Sequence, residues 1–351
     1  MKIKIGQHVI SQNHKPFVIA EMSGNHNQSL ERALSIVDAA AKSGVQALKL
    51  QTYTADTITL DVKDGDFFIN DENSLWKGQS LHKLYEQAYT PWEWHAPIMQ
   101  RANELGMICF SSPFDESAVD FLEELNVPLY KIASFENNHL PLIRKVASTG
   151  KPIIISTGMA SVAEIHEAVT VAREAGCEDL ILLKCTSTYP ASPKNSNVLT
   201  IPHMRELFDC QVGLSDHTMG LGAAIAAVAH GATVIEKHFT LSRADGGVDS
   251  SFSMEPHELD LLVTESERAW QSLGGVVYSS GEGSEEKSKV FRRSLYVSED
   301  MTAGEIFTEK NLRIVRPGNG LPPKYFEQFL GRRIKCDAKK GTPINWQLLG
   351  G

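Results

Sequence analysis

The chain has 351 residues, 42% hydrophobic and 22% charged, which suits a globular protein with room for a barrel of about 250 residues plus something smaller. With 34 Lys+Arg against 43 Asp+Glu the formal net charge is −9, which argues against nucleic acid as a partner and requires any anionic substrate to be met by locally placed cations. No apolar run approaches the roughly 20 residues that cross a bilayer, Met1-Lys2-Ile3-Lys4 opens no signal-like stretch, and five cysteines without a CxxC pair read as reduced core thiols; a cytoplasmic protein without membrane contact is expected.

Residues 1–16 hold two short β-like pieces split by Ser11-Gln12-Asn13-His14, a hairpin expected to close the bottom of the main body. A unit then repeats: a short apolar run, a polar end, and an amphipathic helical segment. The runs fall at 17–20, 45–50, 107–110, 129–133, 152–155, 180–183, 211–214 and 233–235. The helical segments fall at 30–42, 91–105, 116–125, 140–148, 162–175, 201–208, 221–230 and 256–273. Gly44, Gly106, Gly176 and Gly231 supply stop signals, and Ser161 with Glu164 forms a capping box. Eight strands alternating with eight helices predict an α/β fold, a (β/α)8 TIM barrel, with a doubly wound open sheet as the alternative.

Catalytic groups of such barrels sit at the carboxyl ends of the strands. Those ends carry Glu21; Lys49 and Gln51; Ser111 and Ser112; Lys131, Ser134 and Glu136; Ser156 and Thr157; the stretch 186–189; Ser215, Asp216 and His217; and Glu236, Lys237 and His238. The long segments 52–89, with Trp76-Lys77-Gly78, and 241–255, with Arg243, Asp245 and Asp249, are expected as loops over the mouth. Residues 274–289 are rich in Gly, Ser, Glu and Lys and read as a linker. Short β-like pieces at 294–297, 312–315 and 333–336 then suggest a small β-rich domain.

His217 and His238 end consecutive units, each beside a carboxylate (Asp216, Glu236), so parallel neighbouring strands would turn both imidazoles toward one divalent metal; hydrogen-bonded structural histidines are the alternative. Lys49, Lys131 and Lys184, interleaved with Ser112, Ser134, Ser156 and Ser215, make a cradle for phosphate or carboxylate. Pairing with Glu21 and Glu236, or Schiff-base chemistry at Lys131 or Lys184, are the competing uses.

The segments Ile19-Ala20-Glu21-Met22-Ser23-Gly24-Asn25-His26-Asn27, Leu48-Lys49-Leu50-Gln51-Thr52, Ser111-Ser112-Pro113-Phe114 and Tyr130-Lys131-Ile132-Ala133-Ser134 resemble the sialic acid synthase family. So do Gly213-Leu214-Ser215-Asp216-His217-Thr218, Glu236-Lys237-His238-Phe239-Thr240 and Arg316-Pro317-Gly318-Asn319-Gly320, so that the resemblance runs through nearly the whole chain. Gly246-Gly247-Val248-Asp249-Ser250, Trp76-Lys77-Gly78 and Thr90-Pro91-Trp92-Glu93-Trp94 look most like its pseudaminic acid synthase branch.

The resemblance implies a barrel with its hairpin over 1–274, a linker over 275–290 and an antifreeze-like (SAF) domain over 291–351. It implies condensation of phosphoenolpyruvate with 2,4-diacetamido-2,4,6-trideoxy-L-altrose to a nine-carbon nonulosonic acid, with phosphate leaving by C–O cleavage. Lys49, Ser112, Lys131, Ser134, Ser156, Ser187 and Ser215 would then hold phosphoenolpyruvate, and Gln51, Glu136, Tyr189, Asp249 and Arg316 the sugar. His217 and His238 would bind Mn2+ or Mg2+, Glu21 would handle protons, and a domain-swapped homodimer would bring in Arg316. Ser187 stands where the neuraminate synthases have asparagine, and Asp249-Ser250 where they pair Asp with His, which favours a more apolar sugar. An N-acetylneuraminate or legionaminate synthase using a mannose-type sugar is the alternative, and a Schiff-base pyruvate aldolase a more distant one.

Overall fold

Period-two alternation along short strands decides the architecture, because it gives each strand one face for the helices and one for the lumen. A computed structural model describes residues 2–72, 74–278 and 284–350. Strands β1 (Ile3–Ile5) and β2 (His8–Ile10) pair antiparallel. Then follow β3 (Phe17–Glu21), β4 (Ala47–Thr52), β5 (Ile108–Pro113), β6 (Tyr130–Ile132), β7 (Ile153–Ser156), β8 (Leu180–Cys185), β9 (Gln211–Asp216) and β10 (Val234–His238). These eight close in the order β10-β3-β4-β5-β6-β7-β8-β9, and the parallel pairing of β10 with β3 excludes an open sheet.

The helices are α1 (Leu30–Lys42), α2 (Ala55–Ile58), α3 (Leu81–Ala88), α4 (His95–Glu104), α5 (Glu116–Glu124), α6 (Leu140–Ala147), α7 (Val162–Glu174), α8 (Thr200–Phe208), α9 (Gly222–Ala229) and α10 (Pro256–Leu273). Their starts are chemically marked: Ser29 accepts the N–H of Arg32, Asp115 those of Ser117 and Ala118, and Ser161 and Glu164 cap reciprocally. Val18, Ala20, Leu48, Leu50, Leu182 and Ile235 face outward and share one apolar cluster with the buried faces of these helices. Phe17, Ile19, Ala47, Phe110, Ile154 and Val234 face inward and cluster with Ile3, Ile5 and Ile10, so the N-terminal hairpin plugs the bottom of the lumen. The same parity, carried to the strand ends, aims Glu21, Lys49, Gln51, Ser112, Lys131, Ser156, Ser215 and Glu236 into the mouth.

Several expectations are corrected. The hairpin turns at Gly6, whose φ of +57° a residue with a Cβ rarely adopts, and residues 11–14 instead lead into β3. The segment 52–89 is not a loop throughout, since it contains α2 and α3; only Leu84 of α3 is buried, so its apolar signal is faint. The segment 91–105 begins as a 3-10 turn, Trp92–Trp94, before α4.

Two compact units divide the chain, Met1–Leu273 and Gly274–Gly351. In the second, β11 (Ser294–Val297) and β12 (Leu312–Val315) pair antiparallel over a core that includes Leu295, Phe307, Phe329 and Ile344. The strand expected at 333–336 does not form; Ile334 makes only an isolated bridge to Leu349. Within the expected linker, 279–283 lie outside the described residues, and Ser284–Ser288 is helical rather than irregular. Cys109, Cys177, Cys185 and Cys210 are buried thiols, whereas Cys336 is exposed and so is not a core residue. Among the described residues no helix is long and apolar enough to cross a membrane.

Candidate active site

Four ions meet inside the barrel mouth. Lys49 Nζ lies 2.6 Å from Glu21 Oε2 and 3.8 Å from Glu236 Oε1, and Lys131 Nζ donates to Glu236 Oε1 at 3.1 Å. Ser215 Oγ donates to the same Glu236 oxygen at 3.3 Å, Lys49 reaches Ser112 Oγ at 3.4 Å, and Gln51 Nε2 donates to Glu21 Oε1 at 3.0 Å. Burial pushes the Glu21 carboxyl up to about 7 against the pull of Lys49. Burial likewise lowers the Lys131 ammonium, whereas Lys131 and Lys49 together overcome it at Glu236 and hold that carboxyl low. Two ammonium groups offset by two carboxylates make a balanced cluster that gains a net positive charge once Glu21 takes a proton, a setting suited to an incoming polyanion.

The two imidazoles are neighbours at this mouth, with ring centroids 5.2 Å apart. Their strands can lie this close because β9 carries Gly213, where a Cβ would run into the Val234 carbonyl and Leu183. His217 Nδ1 is 3.0 Å from the Thr186 carbonyl; with the proton assigned to Nδ1, its other nitrogen keeps a free lone pair. His238 Nδ1 is buried without a hydrogen-bond partner, 3.9 Å from Asp249 Oδ2, and burial followed by the nearby His217 holds its ring well below the usual pKa. Burial opposes the charge on the His217 ring, but Cys185 and the Thr186 carbonyl overcome it and raise its pKa, so a cation would have to displace a proton there; two adjacent imidazoles, that of His238 with an orphaned nitrogen, could serve as donors to a divalent metal. Among the described residues no three His, Cys, Asp or Glu side chains are arranged to hold a metal by themselves, so a cation at the two imidazoles would need further oxygen ligands from water or substrate.

The remaining expected residues divide. Ser156 Oγ and Glu136 Oε2 are buried without partners, the condition of groups awaiting a ligand, and burial pushes Glu136 up to about 7. Ser187 Oγ donates to Ser134 Oγ at 2.8 Å. Tyr189 packs its ring 4.5 Å from His217 and 5.2 Å from Phe252. Asp249 accepts a short hydrogen bond from Ser23. The loops after β4 and β10 meet where Trp76 Nε1 donates to Val248 O at 2.9 Å, and the Trp76 ring lies 6.1 Å from Tyr189. Lys184 is only half-buried and donates to Cys185 O at 2.8 Å; it has the parity of outward-facing Leu182 and does not join the cluster. Arg316 is exposed in the second unit, directly after β12.

This arrangement can be set beside known proteins. Residues 36–278 match the NeuB family, well over half the chain. The chain belongs to that family. Residues 292–350 match the SAF domain. A pseudaminic acid synthase of Campylobacter jejuni subsp. jejuni serotype O:2 is 43% identical over 94% of this chain and 95% of its own. An N,N'-diacetyllegionaminic acid synthase of the same organism is 36% identical over 91% and 95%. The crystal structure of an N-acetylneuraminic acid synthetase from Leptospira borgpetersenii superposes with a TM-score of 0.72 at 31% identity, covering 82% of this chain and 95% of that one.

The NeuB match begins after Glu21, so that carboxyl is placed in the site by the β3–β4 register and by Lys49 rather than by the family match. Reading the sequence undervalued Glu236, which it treated only as a possible counter-ion and which proves to bridge Lys49, Lys131 and Ser215. It missed Phe252, whose ring lies 5.0 Å from His238, and Ser23, the partner of Asp249. Inward parity along β10 was the available signal for Glu236; nothing local marked Phe252.

Proposed function

We propose that this NeuB-family chain is a pseudaminic acid synthase, condensing phosphoenolpyruvate with 2,4-diacetamido-2,4,6-trideoxy-L-altrose and releasing phosphate. The observation that carries the reading is the meeting of two buried ammonium groups, Lys49 and Lys131, and two adjacent imidazoles, His217 and His238, at one barrel mouth. Lys49, Lys131, Ser112, Ser134, Ser156, Ser187 and Ser215 bind the phosphate and carboxylate of phosphoenolpyruvate, which displaces Glu236 as their partner. Its C3 attacks the sugar's aldehyde carbon as the C=O π bond breaks, the aldehyde oxygen takes up a proton from solvent to become a hydroxyl, and the positive character left at C2 is quenched by water. Glu21, held by Gln51 and titrating near neutrality, takes the proton of that water, and the tetrahedral centre then expels phosphate with cleavage of its C–O bond.

His217 and His238 would hold a divalent cation, Mn2+ or Mg2+, which when bound would supply Lewis-acid polarisation of the aldehyde oxygen, and two imidazole donors would favour Mn2+. Gln51, Glu136, Tyr189 and Asp249 contact the sugar, whose C6 methyl suits the wall of Tyr189, Phe252 and Trp76. The reading includes a cytoplasmic, domain-swapped homodimer in which Arg316 of the antifreeze-like domain reaches an N-acetyl group; the SAF match supports the domain.

Higher identity to the pseudaminic acid synthase than to the legionaminic acid synthase of one organism favours the altrose-type sugar. Phosphate release from phosphoenolpyruvate, compared across the altrose-type diacetamido sugar, its mannose-type counterpart and N-acetylmannosamine, tests it. Preference for the first is expected; preference for either mannose-type sugar would move the chain to the alternative branch.

A further inference from the structure

Lys237 and Asp216 form a buried ion pair that the chemistry above leaves unused. Their side chains leave β10 and β9 on the face opposite His238 and His217, since neighbouring residues of a strand point to opposite sides. Both side chains are 1% exposed, and Lys237 Nζ lies 2.9 Å from Asp216 Oδ2. The same ammonium donates to Thr218 O at 2.5 Å, and Asp216 Oδ1 accepts the Thr218 N–H at 2.9 Å. The carboxylate therefore closes a turn around His217, the residue between them. Lys237 and Asp216 are also register partners, so one ion pair grips the residue preceding each imidazole. The clamp continues outward: Thr218 bridges Ala191, whose N–H donates to His217 O at 3.0 Å, at the base of the loop that carries Tyr189.

An ion pair this deep is no more stabilising than apolar side chains of equal volume, so stability alone does not account for it. We propose that Lys237 and Asp216 are positioning residues, which fix the ends of β9 and β10 so that the His217 and His238 rings share one divalent cation. The proposal rests on the reading of these histidines as cation ligands. A flexible end on either strand would let its ring turn out of reach, because a ring is carried by a backbone held in place only as firmly as its neighbours.

The test uses the full chain and Mn2+ alone, followed by loss of the free-ion paramagnetic resonance signal. The double variant D216L/K237M keeps the core filled, and I36A, a cavity in α1 on the main apolar core, serves as the control for lost stability. Binding of Mn2+ at least about tenfold weaker in the double variant is expected, with the affinity for phosphoenolpyruvate and the far-ultraviolet dichroism unchanged. If the double variant does not fold, D216N, which preserves shape, carries the same expectation. Mn2+ affinity within about twofold of the parent, or an equal loss in I36A, would overturn the proposal. A parent chain that binds no Mn2+, or binds it as well after H217A and H238A, would instead overturn the ligand reading, and the proposal with it.

Discussion

Lys49 Nζ and Glu21 Oε2 stand 2.6 Å apart with both side chains buried inside the barrel, and Gln51 secures the second Glu21 oxygen from the other side. The pair holds a carboxyl that is pushed up to about 7, which suits it to gain or lose a proton near neutrality, as the proposed water addition would require.

Glu21→Gln keeps the shape and the contact with Gln51 but removes the proton acceptor. Turnover should fall by about a hundredfold or more, while phosphoenolpyruvate binds within a few-fold of the parent, because Lys49 and Lys131 remain. Single-turnover phosphate release and titration calorimetry separate the two; normal turnover would remove Glu21 from the reaction.

Metal removal distinguishes the proposed reaction from a Schiff-base aldolase. Chelation with EDTA should abolish phosphate release, and Mn2+ should restore it, with H238A refractory to restoration. Borohydride in the presence of pyruvate should leave Lys131 unmodified, since the proposed reaction uses its ammonium only to bind the anion. A trapped lysine adduct, together with activity surviving EDTA, would decide for the aldolase.

Arg316→Ala should raise the KM for the sugar by about tenfold, the worth of one lost charge-assisted hydrogen bond, and leave that for phosphoenolpyruvate nearly unchanged. Mixing E21Q chains with R316A chains should create sites with the parent's KM for the sugar in the domain-swapped arrangement, since an intact Glu21 then meets an intact Arg316. Equal effects on both substrates would detach Arg316 from the sugar.

His95 offers a pH prediction away from the histidine pair at the mouth. Its ring is buried, accepts or donates at Thr52 Oγ1 over 2.8 Å, and burial lowers its pKa from 6.5 to about 4. The unfolded chain therefore binds more protons between pH 6.5 and 4, so this group's stability is complete above 6.5 and is lost as pH falls through that window. The stability cost of His95→Gln should thus shrink by about 2 kcal/mol between pH 7.5 and pH 5, read from urea melts. A cost that stays constant would place the ring's pKa near its ordinary value.

Gly213→Ala should separate β9 from β10, since the added methyl meets the Val234 carbonyl rather than a side chain that can swing away. Loss of Mn2+ uptake with the barrel still folded is expected, checked by paramagnetic resonance beside circular dichroism; unchanged uptake would show that the strands accommodate the methyl elsewhere.

The amino-acid order alone was enough to determine the repeating strand and helix units, the bounds of α1 and α10, and the polar identity of nearly every strand end, because apolar periodicity and capping residues act over a few neighbours. It also carried the motifs that group Lys49, Lys131, His217 and His238. Only the closed sheet decided which of those polar residues face one another: adjacent positions on a strand point to opposite sides, so His217 and Glu236 enter the mouth while Asp216 and Lys237 form a separate ion pair behind it. Short elements such as α3, and contacts between distant loops such as Trp76 with Val248, were likewise settled by packing across the barrel mouth, where no local pattern reaches.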